Sequence, residues 1–219
     1  MRLKRHHDHA SKPLITAVGC TLVAICALAN AGGRPASGQG TTAHAGASAS
    51  AQSVDAVRRV LVAVTVPELK MVRQDGTQVS LDNELNDGRP VVLNFVYTSC
   101  TTICPISSQE FSLLQDRLGK DRERVHLVSI SLDPEQDTPE RLRDYARHFR
   151  AGKAWDYYTG DAAASVKAQL AFGVYRGDKM SHIPVTLLRT APGNQWVRLD
   201  GFATAQQMYA ELHGLLARR

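Results

Sequence analysis

Two cysteines stand four residues apart in the stretch "NFVYTSCTTICPISSQEF": Cys100 and Cys104, with Pro105 directly after the second. Paired thiols at this spacing support three chemistries: a structural disulfide, a reversible redox couple, or two ligands of a soft metal ion. A static bridge would close a tiny loop, remove little entropy from the unfolded chain and so stabilise less than a long-range one. A redox couple needs only a partner thiol and access. A metal site needs a third ligand, and two thiolates with an imidazole suit Cu(I) or a related copper state. Pro105 fits the first helical position and turns the residue before it away from helical angles, which places Cys104 at or near a helix N-cap. Free amides and the helix dipole favour an anion there, so Cys104 is expected to ionise more easily than a free thiol.

Candidates for the third ligand are few. His126 lies inside the strand pattern "RVHLVSI" and reads as an ordinary sheet residue, while His148 and His213 fall on polar helical faces. His182 differs, because "RGDKMSHIPVTLL" places it in a polar loop immediately before a strand, where functional side chains are often positioned. Met180 offers a soft thioether nearby, although a loop methionine more often packs.

The elements that must position these residues alternate in period. Residues 91–97 form a continuous apolar run, as in a strand buried on both faces, and "RVHLVSISL" forms a second. Between them Phe111, Leu114 and Leu118 repeat at helical spacing and stop at Gly119. "DTPERLRDYARHF" predicts a helix with Asp137 as its cap and Pro139 in the first turn. "DAAASVKAQLAF" reads as helix, "PVTLLRT" and "QWVRLDG" as a hairpin, and "TAQQMYAELHGLLARR" as a terminal amphipathic helix. Earlier, "VTVPELKMVRQDGTQVSL" alternates around Asp75-Gly76, a hairpin dipeptide. The order is that of an α/β sandwich with an N-terminal β-hairpin extension.

The beginning of the chain reads as an address. "MRLKRHHDHASK" is basic, residues 13–29 are an apolar run, and Ala29-Asn30-Ala31 has the small residues of a cleavage site. Residues 1–31 are therefore expected to be a signal peptide or an N-terminal anchor, which would be the sole membrane contact. Residues 32–53 are Gly, Ala, Ser, Thr and Gln with little to bury, a disordered linker, and 54–219 the folded domain. Cys20 and Cys26 belong to the leader, so the exported domain keeps one cysteine pair, in a compartment where disulfides persist. The formal charge of +5 falls to +2 without the leader, and no basic stripe with interleaved aromatics remains. Nucleic acid is excluded as an expected partner.

Three segments, "FVYTSCTTICP" (95–105), "VSISLDPEQDTPERLRDYARHF" (128–149) and "DKMSHIPVTLL" (178–188), make the chain from about Val66 to Leu215 resemble the Sco/SenC family of thioredoxin-like copper proteins. That family takes part in assembling the binuclear copper site of cytochrome c oxidase. The resemblance implies a thioredoxin-like fold and copper, as Cu(I) or Cu(II), bound by Cys100, Cys104 and His182. It also implies that the cysteines form a disulfide when oxidised. The leader sets the expected location, the periplasm or the extracytoplasmic face of a membrane. The implied partners are cytochrome c oxidase subunit II or another copper protein, and a thioredoxin-like reductant. Many members have Pro and Asp between the cysteines and Asp before the histidine, where this chain has Thr101, Thr102 and Ser181. The implied role is a metallochaperone and not a typical enzyme. The alternative is a thiol-disulfide oxidoreductase, with Cys100 attacking and Cys104 resolving.

Overall fold

The computed structural model describes residues 57–218. The leader with His6, His7, His9, Cys20 and Cys26, and the linker with His44, lie outside the described residues.

The chain enters through β1 (Arg58–Val62) and a hairpin of β2 (Lys70–Arg73) and β3 (Gln78–Ser80). Its tip is the predicted Asp75-Gly76: Gly76 has φ 88°, a conformation that glycine adopts freely, and Asp75 Oδ1 accepts the Thr77 amide at 2.9 Å. A short helix α1 (Leu81–Leu85) leads to β4 (Val91–Val96), α2 (Ile103–Leu118), β5 (His126–Ser131) and α3 (Pro139–His148). Then come β6 (Trp155–Thr159), α4 (Ala162–Ala171), β7 (Val185–Arg189), β8 (Trp196–Asp200) and α5 (Ala205–Leu216). Among the described residues eight strands make one sheet in the order β1-β8-β7-β4-β5-β6-β2-β3.

All residues of β4 and of β5 are buried, as continuous apolar runs require when both faces of a sheet are covered. They pair in parallel from Val91↔His126 to Val96↔Ser131, while β7 lies antiparallel on the other side of β4 from Val91↔Arg189 to Asn94↔Thr186. This register has a direct consequence for the site. Both the end of β4 and the start of β7 reach the same edge of the sheet, so the cysteine loop after β4 and the histidine loop before β7 meet there.

Helix α2 begins at Ile103 with Thr102 as cap, so Cys104 is the second helical residue, near the cap as expected, and Pro105 is not at the first helical position. Pro105 then stands third, still inside the first turn, where no intrahelical acceptor awaits its missing amide. In α3 the cap is Thr138, whose hydroxyl accepts the Arg141 amide at 3.3 Å, and Asp137 points its carboxylate elsewhere. The strands β1 and β6 and the helix α1 have no counterpart in the sequence reading. Among the described residues no helix is long and apolar enough to cross a membrane.

Candidate functional site

The cysteine loop is built from the end of β4. The Cys100 amide donates to the Tyr97 carbonyl at 3.1 Å, closing the turn, and the amide of Cys104 donates to Cys100 Sγ at 3.4 Å. Both cysteines are free thiols and both are buried, Cys104 more completely. Their environments push them apart. Burial opposes charge on Cys100, yet the amides of Cys104 and Thr102, the Tyr97 hydroxyl and the Cys104 thiol together bring its pKa down to about 7. Burial pushes the Cys104 thiol well up, the Cys100 sulfur and the Asp137 charge push the same way, and the Tyr97 backbone does not reverse this. The expectation that Cys104 would be the easily ionised thiol is therefore corrected: the helix-start amide stabilises its partner's sulfur, while Cys104 itself sits in the core.

Asp137, fully buried, fastens this loop to the β5–α3 connection. One carboxylate oxygen accepts the Thr98 amide at 3.0 Å and the Thr98 hydroxyl at 2.6 Å; the other accepts the Ser131 hydroxyl at 2.6 Å. Burial raises its pKa in spite of these donors. The "Asp-Thr-Pro" signal located this residue, but as a helix cap. Only the fold reveals that the adjacent Thr138 caps and frees Asp137 for the cysteine loop.

His182 ends a single 3-10 turn, Lys179–Ser181, between α4 and β7. It is buried, and its Nδ1 has no hydrogen-bond partner. Burial drives its pKa down to about 4, with the Phe95 carbonyl acting against this and the Arg176 charge with it. The imidazole is therefore neutral at neutral pH, the state in which a nitrogen lone pair is available to a metal. Met180 is exposed, and its sulfur lies 3.5 Å from the Tyr97 hydroxyl, whose single proton serves either this thioether or the Cys100 sulfur.

The structure thus joins Cys100 to Cys104 directly and brings His182 to the same sheet edge. Among the described residues no three His, Cys, Asp or Glu side chains stand close enough together to hold a metal ion. His148 and His213 are exposed on their helices, as expected. His126 is a buried strand residue whose Nε2 lies 3.0 Å from Asp156 Oδ2, at the opposite end of β5 from the cysteines.

The SCO1/SenC family model matches residues 62–217. The chain belongs to the SCO1/SenC family. Its relatives include the SCO1 protein homolog of Bacillus subtilis, 33% identical over 95 residues, a match covering 43% of this chain and 48% of that protein. The chain thus spans about half the length of that curated relative. A solved structure of BsSco, a member of the Sco family of cytochrome c oxidase assembly proteins with a disulfide switch, superposes with a TM-score of 0.62 at 24% identity. That superposition covers 73% of this chain and 98% of BsSco. ScoI of Bradyrhizobium japonicum, solved with copper bound, superposes with a TM-score of 0.55 at 28% identity, covering 67% of this chain and 96% of that one. This SCO1/SenC chain has the thioredoxin-like α/β fold of these proteins, with the hairpin β2–β3 preceding β4.

Proposed function

We propose that this SCO1/SenC protein is an exported copper carrier whose ligands are Cys100, Cys104 and His182. It would deliver copper to, or prepare, the binuclear copper site of cytochrome c oxidase, with subunit II of the oxidase or another copper protein as recipient. Residues 1–31 would direct or anchor it outside the cytoplasm, 32–53 would tether it, and 54–219 would do the work in the periplasm or at the extracytoplasmic face. The observation that carries the reading is the buried, unpartnered Nδ1 of His182 at the sheet edge that bears the two free thiols. A buried polar atom without a partner costs free energy unless something else pairs with it, and a soft ion taken by two thiolates is a fitting partner.

The protein's own groups prepare that binding. Cys100 is already half ionised near pH 7, so it supplies a thiolate without a large proton cost. Cys104 holds its proton until a cation arrives to displace it, which makes binding release a proton. His182 enters neutral, so no proton competes at its nitrogen above about pH 4. Anaerobic titration of the reduced protein with Cu(I) against a competing chelator tests the reading. Wild type should bind much more tightly than His182→Ala; equal affinities would sink it.

A second reading, thiol-disulfide exchange, is favoured by the division of pKa values between the cysteines. The Cys100 thiolate would attack a target disulfide, forming a mixed disulfide and expelling one target thiolate, which takes up a proton. Cys104, losing its proton, would then attack Cys100 Sγ and expel the second target thiolate. The target gains two electrons and two protons, and Cys100–Cys104 becomes a disulfide, to be reduced again by a thioredoxin-like donor. This route leaves His182 idle, so activity surviving in His182→Ala separates it from copper delivery.

A further inference from the structure

The turn that carries His182 is tied to the rest of the fold by its side chains. Its backbone bonds are local: the Ser181 amide reaches the Asp178 carbonyl and the His182 amide the Lys179 carbonyl. Asp178 caps the turn from within by accepting the Met180 amide. Lys179 and Met180 reach outward. Lys179 Nζ donates to Asp133 Oδ2 at 2.5 Å and stands 5.9 Å from the centroid of the Tyr97 ring, and Met180 Sδ lies 3.5 Å from the Tyr97 hydroxyl. Tyr97 is also the residue whose carbonyl closes the Cys100 turn. Asp133 belongs to the same β5–α3 connection as Asp137: Ser131 Oγ accepts the Asp133 amide at 3.0 Å while donating to Asp137. One short segment, 131–137, therefore supplies a carboxylate to the cysteine loop and another to the histidine loop.

The two ties are unequal. Asp137 is sealed inside, but the Lys179 side chain is 35% exposed over an Asp133 side chain that is 7% exposed. A buried carboxylate whose cation is removed is left uncompensated, and hydrating it would draw the connection and the turn apart. The turn carrying His182 would move, and the loop carrying the thiols, held in addition by Asp137 through the Thr98 amide and hydroxyl, would move less.

We infer that Lys179, paired with Asp133 and resting on Tyr97, is a positioning residue that sets the His182 imidazole relative to Cys100 and Cys104. The inference rests on the copper reading above and adds to it the device that places the third ligand. Groups that orient a ligand from outside typically change metal affinity about 10–100-fold when removed. Lys179→Met removes the charge while keeping an unbranched side chain, and Lys179→Arg keeps the charge.

The experiment is a double-mutant cycle in the reduced protein, read by Cu(I) competition titration, with the alkylation rate of apo Cys100 as a second readout. Lys179→Met should weaken Cu(I) binding about tenfold or more, Lys179→Arg should recover most of the loss, and alkylation should stay at the wild-type rate. In a His182→Ala background, Lys179→Met should have no further effect. The inference is overturned by wild-type affinity in Lys179→Met, by a loss that arginine does not recover, by a parallel change in alkylation, or by an undiminished loss without His182. Failure of the copper reading itself looks different: wild type and His182→Ala then bind alike before Lys179 is touched.

Discussion

At the scale of single residues, the division of labour between the thiols yields a sharp expectation. The rate of alkylation of the reduced protein by iodoacetamide should follow one ionisation with a midpoint of about 7, abolished by Cys100→Ser and retained in Cys104→Ser. A midpoint near that of free cysteine would show that the Cys104 and Thr102 amides do not stabilise the thiolate. His182 gives a second expectation, in stability. Its folded pKa of about 4 lies below the ordinary 6.5, so the unfolded chain binds more protons between these values. Its contribution is full above about pH 6.5 and is lost as pH falls towards 4, by on the order of 3 kcal/mol. Urea unfolding of apo wild type and His182→Gln at stepped pH measures it: the variant's curve should flatten relative to wild type across that window. The same residue illustrates what sequence can reveal. Its place in a loop before a strand singled it out, but nothing local signals that burial keeps it neutral, because the covering groups come from elsewhere in the chain.

At the scale of elements, the β5–α3 connection governs the site through Asp137. Asp137→Ala would leave the Thr98 amide and two hydroxyls without their acceptor, costing about 1–3 kcal/mol in denaturant unfolding. A loss under about 0.5 kcal/mol would mean that water replaces the carboxylate freely. The elements legible from sequence are those whose signal is local. The strands β4 and β5 are unbroken apolar runs, α2 ends at a glycine with φ 54°, and the turn between β2 and β3 carries its own Asp-Gly. The strand β6, "WDYYT", is short and aromatic and carries Asp156, which is bound to Gln74 and His126 and so reads as polar until those partners are known. The strand β1 is largely exposed and owes its form to pairing with β8, some 140 residues away. Asp137 and Thr138 are adjacent cap formers, and composition alone does not divide capping from bracing between them.

At the scale of the whole molecule, copper bound to the folded state alone should raise its stability by mass action. At a free concentration one hundred times Kd the gain is about 2.7 kcal/mol, visible as a rise in Tm of the reduced protein. The oxidised protein, its thiols joined, should show no rise under the same conditions; an equal rise would place the ion elsewhere. The bond from Thr98 to Asp137 also spans 39 residues, across α2 and β5. The cysteine loop therefore takes its final shape only after β5 and the start of α3 have docked. A chain whose thiols met an oxidant before that docking would join them without the Asp137 brace in place, and would then need a reductant before it could take up copper.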